Sequence, residues 1–268
     1  MTSASATAVP PPPTRSLAQR GPDLLVWGAV IILLLISFKP VEVSNFTRLF
    51  TNSENMRLYG ADLLRPDFTE WRTYVAQMWL TIQIALWGTF LAVIVAVPFG
   101  LACSRNISPV WLQQPMRLLM NFLRSIPDLV LGTLFLVAVG LGPFAGVMAL
   151  AINTGAVLAK LFSEAVESID KGPVEGVRAT GAGKLHEIVW GVIPQVAPLW
   201  TSYALYRFES NSRSATVLGL IGAGGIGRLL FDSINGFAYH QLSAIVIVII
   251  VAVSLIDLLS QAMRSRLL

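Results

Sequence analysis

Long apolar runs, each bounded by a short polar stretch, set the plan of this chain. Residues 24–38, 75–103, 116–139, 144–163, 192–206 and 242–259 are dominated by Leu, Ile, Val, Ala, Phe and Trp. A helix needs about 20 such residues to cross roughly 30 Å of hydrocarbon, and most of these runs are close to that length. The first is short, and places Trp27 near one interface. The pattern predicts an all-α polytopic membrane protein with about six transmembrane helices, a domain occupying residues 23–268. Residues 1–22, with Ser, Ala, Thr and the run Pro10 to Pro13, have nothing to bury and are expected to be a disordered tail. Residues 39–73 mix five basic and five acidic side chains and read as an extramembrane loop, with Trp71 and Tyr74 preparing the next interface.

Composition agrees and removes alternatives. Of 268 residues, 54% are hydrophobic and 13% charged, with a mean hydropathy of +0.68. Soluble domains are about a quarter charged. The net charge of +4 is scattered over span ends without a patch or motif, so no nucleic-acid partner is expected. Cys103 is the sole cysteine and ends an apolar run, as a packing residue would. His186 and His240 stand apart from other ligands, which gives no metal site.

Another polar island, residues 164–194, lies between two long apolar stretches. Pro173 suits a first helical turn, with Glu175 in the favourable half of the dipole. Gly181 and Gly183 can end that helix in a left-handed cap, and Lys184 to Trp190 can start another. The expected form is two short helices around a glycine corner. Gly181-Ala182-Gly183-Lys184 echoes a phosphate-binding loop, but Leu185 stands where magnesium needs Ser or Thr, and Arg178 where the first glycine belongs. The chain is therefore not expected to be an enzyme hydrolysing ATP.

Charges also interrupt the apolar runs. Arg124 and Asp128 flank Pro127, either as a mutual salt bridge at a kink or as a broken helix lining a pathway. Arg207, Glu209, Asn211 and Arg213 fall two apart, so on one helix they spread over more than a single stripe. Residues 215–227 end in Gly222-Ala223-Gly224-Gly225-Ile226-Gly227. This satisfies the dinucleotide fingerprint, yet the position about twenty on is Ile247 inside an apolar run. A re-entrant turn with close backbone approach is the better reading.

Glu175, Gly181 six residues on, and Ile193-Pro194 resemble the EAA loop of ATP-binding-cassette importer permeases. The chain departs from that loop at Gly176, Val177, Gly191 and Ile193. Residues 124–268 further resemble the phosphonate-importer permeases, through Arg124 to Asp128, Glu167 to Asp170, Pro173 to Gly181, Gly191 to Gln195, Tyr206 to Asn211 and Arg213 to Gly219. Methionine-importer permeases share the glycine loop and the Arg-Ser-Ile-Pro step.

The resemblance implies a type I importer permease fold in the cytoplasmic membrane. Residues 164–194 would be a cytoplasmic coupling loop, with both termini on that side. Pro173, Glu175, Arg178, Thr180, Gly181, Gly183 and Lys184 would dock an ATPase. Arg124, Asp128, Arg207, Glu209, Asn211 and Arg213 would line the path, and Gly222, Gly224, Gly225 and Gly227 would form a gate loop. The implied partners are a second copy of the chain, cytoplasmic ATPase subunits holding ATP and magnesium, an extracytoplasmic phosphonate-binding protein and the lipid bilayer. Transport would proceed by alternating access. Import of phosphate, phosphite or another small anion, or ATP-independent secondary transport, are the alternatives.

Overall fold

The computed structural model describes residues 17–51 and 53–266, and these residues are helical with no strand. Residues 1–16 of the expected tail lie outside the described residues. Two compact units divide the chain, one ending at Gly60 and the other beginning at Ala61. In the first, α1 (Leu17–Ser37) starts inside the stretch expected to be disordered. The supposed loop that follows carries a 3-10 turn at Val43–Thr47, α2 (Arg48–Thr51) and α3 (Ser53–Leu63), whose last residues enter the second unit.

The second unit is built on α4 (Trp71–Cys103) and α7 (Pro143–Glu167). Small residues let these two helices come close, as expected where lipid removes the hydrophobic drive for association. An added Cβ on Gly88 would lie 2.8 Å from Leu150 Cβ, and one on Gly100 2.8 Å from Phe162 Cβ. Ala85, Ala92, Ala96, Ala149, Ala156 and Ala159 are all buried. Around this pair stand α5 (Val110–Ser125), α6 (Asp128–Val139), α10 (Ile193–Leu218), α11 (Ile226–Asn235) and α12 (Tyr239–Arg264). The short α8 (Lys171–Ala179) and α9 (Lys184–His186) join α7 to α10.

α4, α7 and α12 are each long and apolar enough to cross a membrane. Two bent pairs raise the number to five if each is one span: α5 with α6, bent by 89°, and the α9–α10 stretch with α11, bent by 59°. The apolar stretch Leu25–Ser37 in the first unit is shorter. Three cores stack along α4. The first holds Phe162 stacked on Trp200, with centroids 4.6 Å apart. The second joins Ile84, Leu131, Leu150 and Leu218, and the third joins Tyr74, Met78, Ile226 and Ile245.

α10 runs unbroken through Arg207 to Leu218, so the span does not end at Tyr206 and residues 215–218 belong to the helix. The glycine break is confined to residues 219–225. There, φ is positive at Gly222, Gly224 and Gly225. A Cβ on Gly225 would sit 2.3 Å from the Thr81 Oγ1 that accepts the Ile226 N–H, and one on Gly227 would sit 1.9 Å from Thr216 O. Here α11 folds back against the end of α10, an approach that only a residue without a side chain allows. α11 itself had no counterpart in the apolar pattern.

Candidate coupling hairpin and charged helix

The hairpin between α7 and α10 begins at Asp170. Its carboxylate accepts the Gly172 N–H at 3.0 Å and so caps α8. The helix therefore starts two residues before Pro173, whose missing N–H falls harmlessly in the first turn. Thr180 ends the helix and Gly181 turns the chain at φ +81°. Gly183 does not share that role: its φ is −73°, and it opens α9 instead.

The second short helix is not separate. α9 passes through a π-helical segment, Glu187–Val192, directly into α10. In that segment the Ile193 N–H reaches Ile188 O, five residues back, and Pro194 next to it cannot donate at all. α8 crosses this segment at Gly191, where an added Cβ would lie 3.0 Å from Val174 Cα. The departure from the EAA pattern at this slot thus has a steric reason here.

Two sets of contacts fix the hairpin. Arg178 donates from Nε and Nη2 to the two oxygens of Glu187, both at 2.8 Å. That bond holds the Glu187 carboxyl below the usual range and pushes the Arg178 guanidinium up. The Gln195 amide donates to Asp170 O and Gly191 O, and accepts the Asp170 N–H at 3.2 Å. At the root, Glu167 accepts from the Arg105 N–H and from Arg117, and Arg117 Nε also donates to Cys103 O at 2.7 Å. Pro173, Glu175, Arg178, Thr180, Gly181, Gly183 and Lys184 are all exposed. So are Leu185 and Trp190, at 75% and 69%. A cavity of about 480 Å³ lies among Ile107, Val174, Glu175, Arg178, Lys184 and Glu187.

α10 carries two polar stripes. One holds Arg207, Asn211 and Ser214, facing α4, α6 and α7. Fully buried Asn211 accepts from Thr154 Oγ1 at 2.9 Å and donates to Thr89 Oγ1 at 2.8 Å. Arg207 Nη2 donates to Thr154 Oγ1 at 3.2 Å, while its buried Nε has no partner among the described residues. Ser214 donates to Asp128 at 3.0 Å. The other stripe faces α12. Glu209 takes Arg213 on one oxygen and Arg264 on the other, each at 3.1 Å, and Arg213 also reaches Asp257 at 3.3 Å.

Arg124 and Asp128 do not form the salt bridge that their spacing offers. Ile126 and Pro127 are extended, the chain turns there, and exposed Arg124 is left at the end of α5. Asn153 donates to the Ile126 carbonyl freed by that break, at 2.9 Å.

Sequence reasoning missed Asp170, Glu187 and Gln195 in the hairpin, and Asp257 and Arg264 in α12. Asp257 had a signal: an acid inside an otherwise apolar run.

The profile of the family described as "Binding-protein-dependent transport system inner membrane component" matches residues 88–267. The chain belongs to this family. Among its relatives, the permease is 34% identical over 249 residues to the phosphite transport system permease protein PtxC of Stutzerimonas stutzeri, covering 92% of this chain and 89% of that one. It is 61% identical over 119 residues to the putative cryptic phosphonate transport system permease protein PhnE2 of Escherichia coli, covering 44% of this chain and 98% of that one. In fold the permease is similar to a chain of the MetNI methionine ABC transporter, with a TM-score of 0.65 at 21% identity over 72% of this chain and 95% of that one. The type I importer permease fold and the membrane character expected from sequence therefore hold.

Proposed function

We propose that this chain is the membrane subunit of an ABC importer for phosphonate, working as a pair of copies around one path. A separate ATPase, holding ATP and magnesium, would dock on the hairpin from the cytoplasm. Both termini would lie on that same side, and a soluble phosphonate-binding protein would deliver the anion from the other. The 61% identity to a phosphonate permease supports the substrate, and the phosphite relative names a rival anion.

One observation carries the mechanism: α8 rests on Gly191, and the segment beneath it continues without a break into the charged helix α10. A partner that moves α8 also moves the base of the helix that carries Arg207, Glu209, Asn211 and Arg213. Exposed Leu185 and Trp190 offer apolar contact beside the free Glu175 carboxylate and Lys184, as a docking face requires. ATP binding then favours one packing of the spans and hydrolysis the other, through differential contacts at the hairpin.

The test reconstitutes the permease with its ATPase and binding protein in proteoliposomes and offers methylphosphonate, phosphite and phosphate. Methylphosphonate uptake driven by ATP is expected to exceed uptake of the other two. Glu175→Ala should keep the permease inserted but uncouple hydrolysis from uptake. A cysteine at Lys184 should react with an impermeant thiol reagent only from the cytoplasmic side. Wild-type coupling in Glu175→Ala, or labelling from outside, would overturn the docking assignment.

A further inference from the structure

The four charges between α10 and α12 are not held equally. Glu209 is 13% exposed and engages two arginines with both oxygens at 3.1 Å, so it is fixed. Among the described residues Asp257 meets only Arg213, with its oxygens 3.3 and 3.5 Å from the same nitrogen. These two side chains are 42% and 48% exposed, one on α12, which is apolar enough to span a membrane, the other on α10, which is so together with α11. Half-open charges on such helices are costly against hydrocarbon and are accommodated by a wet cavity, the polar interface or another protein surface. The Nη1 edge of Arg213 is thus occupied by a carboxylate that is weakly bonded and open on one side.

We infer that Asp257 is an exchangeable counter-ion: it neutralises Arg213 while the path is empty and yields it to the passing anion. This rests on the reading of the chain as an anion importer, and adds to it a residue that sets affinity without binding the substrate. The chemistry favours the exchange. A phosphonate carries one to two charges on three oxygens and suits the guanidinium fork better than one poorly aligned carboxylate does. Glu209 stays on the opposite edge of Arg213 and keeps it in place. The displaced Asp257 remains nearby and repels the anion, so the site stays weak. Weakness is required, because a tight site would hold the anion instead of passing it on.

The experiment measures initial uptake of methylphosphonate, and of inorganic phosphate as a second probe, by the reconstituted complex carrying Asp257→Asn. This change keeps the side chain's size and removes the competing charge. The apparent KM is expected to fall about two- to fivefold, the range of a half-exposed ion pair, with kcat falling as release slows. Asp257→Glu should return KM toward the wild-type value. An unchanged or raised KM in Asp257→Asn, in a complex that still assembles and transports, overturns the exchange and leaves Asp257 a structural tie. Transport of neither anion by the wild-type complex would instead overturn the function on which the inference rests.

Discussion

The ion pair in the hairpin and the ion network between α10 and α12 invert the usual link between geometry and consequence. Arg178 and Glu187 meet in a two-pronged bond at 2.8 Å, yet Arg178 is 63% exposed. Water screens such a pair, and its removal costs little. Glu209, Arg213, Asp257 and Arg264 meet at 3.1 to 3.3 Å, and only in part bidentately. Glu209, 13% exposed, stands between apolar helices, where a charge without a partner is expensive, while Arg213 and Asp257 are half-open. The medium, more than the bond length, decides which group matters. The hairpin pair orients α8; the inner network holds two spans together.

The largest expected effect lies within the network. Glu209→Ala leaves Arg264 without its carboxylate and Arg213 with Asp257 alone, and should destabilise the permease by about 3 kcal/mol, the low end for a buried pair because Arg213 is half-exposed. Chemical unfolding in detergent measures this, and wild-type stability would show that the network is dispensable. Next comes Gly191→Ile, which drives a side chain against the backbone of α8. Such overpacking costs about 1–3 kcal/mol, taken here as displacement of the hairpin. Uptake should fall while basal ATP hydrolysis continues, and normal coupling would break the link between α8 and α10.

The smallest effect is at the hairpin pair itself. Arg178→Ala should leave the unfolding midpoint unmoved and reduce coupled uptake less than Gly191→Ile does. Acid sharpens the contrast. Because the folded-state pKa of Glu187 is depressed, its contribution is complete above the unfolded value, near 4.3, and is lost only as pH falls through the lower folded value. Hydrogen exchange at residues 180–186, corrected for intrinsic rates, should therefore be flat from pH 7 to about 5 and rise below the ordinary glutamate range. A rise already at pH 6 would point to another group.

Much of this was legible in the sequence because it depends on spacing. Apolar runs placed most of the spans, and Glu175 to Gly181 placed the hairpin and its left-handed turn. The two-residue spacing from Arg207 to Arg213 correctly implied more than one stripe on α10. What escaped depends on breaks and on distant partners. Arg124 and Asp128 have helical spacing, but the extended backbone at Ile126 and Pro127 takes them off one helix. Arg178 finds Glu187 across a glycine corner, where no helical period applies. Arg213 and Asp257 are 44 residues apart and meet only because α10 and α12 pack side by side. Gly183, a second glycine in the same corner, looked equivalent to Gly181 until the backbone separated a turn from a helix start.

The π-helical segment at the hairpin end of α10 has a mechanical meaning. Glu187–Val192 leads into the helix, whereas Gly219–Ala223 at the far end is broken by Gly222 at φ +110°. A π-turn holds more residues than an α-turn, so the Glu187–Val192 segment stores a short length of spare chain. Drawing one residue from a segment into regular helix advances α10 by about 1.5 Å and rotates it by about 100°. Such a step would carry Arg207, Asn211 and Ser214 away from their partners on α4, α6 and α7, so the bonds of Asn211 to Thr89 and Thr154 act as the latch that holds α10 in its present register.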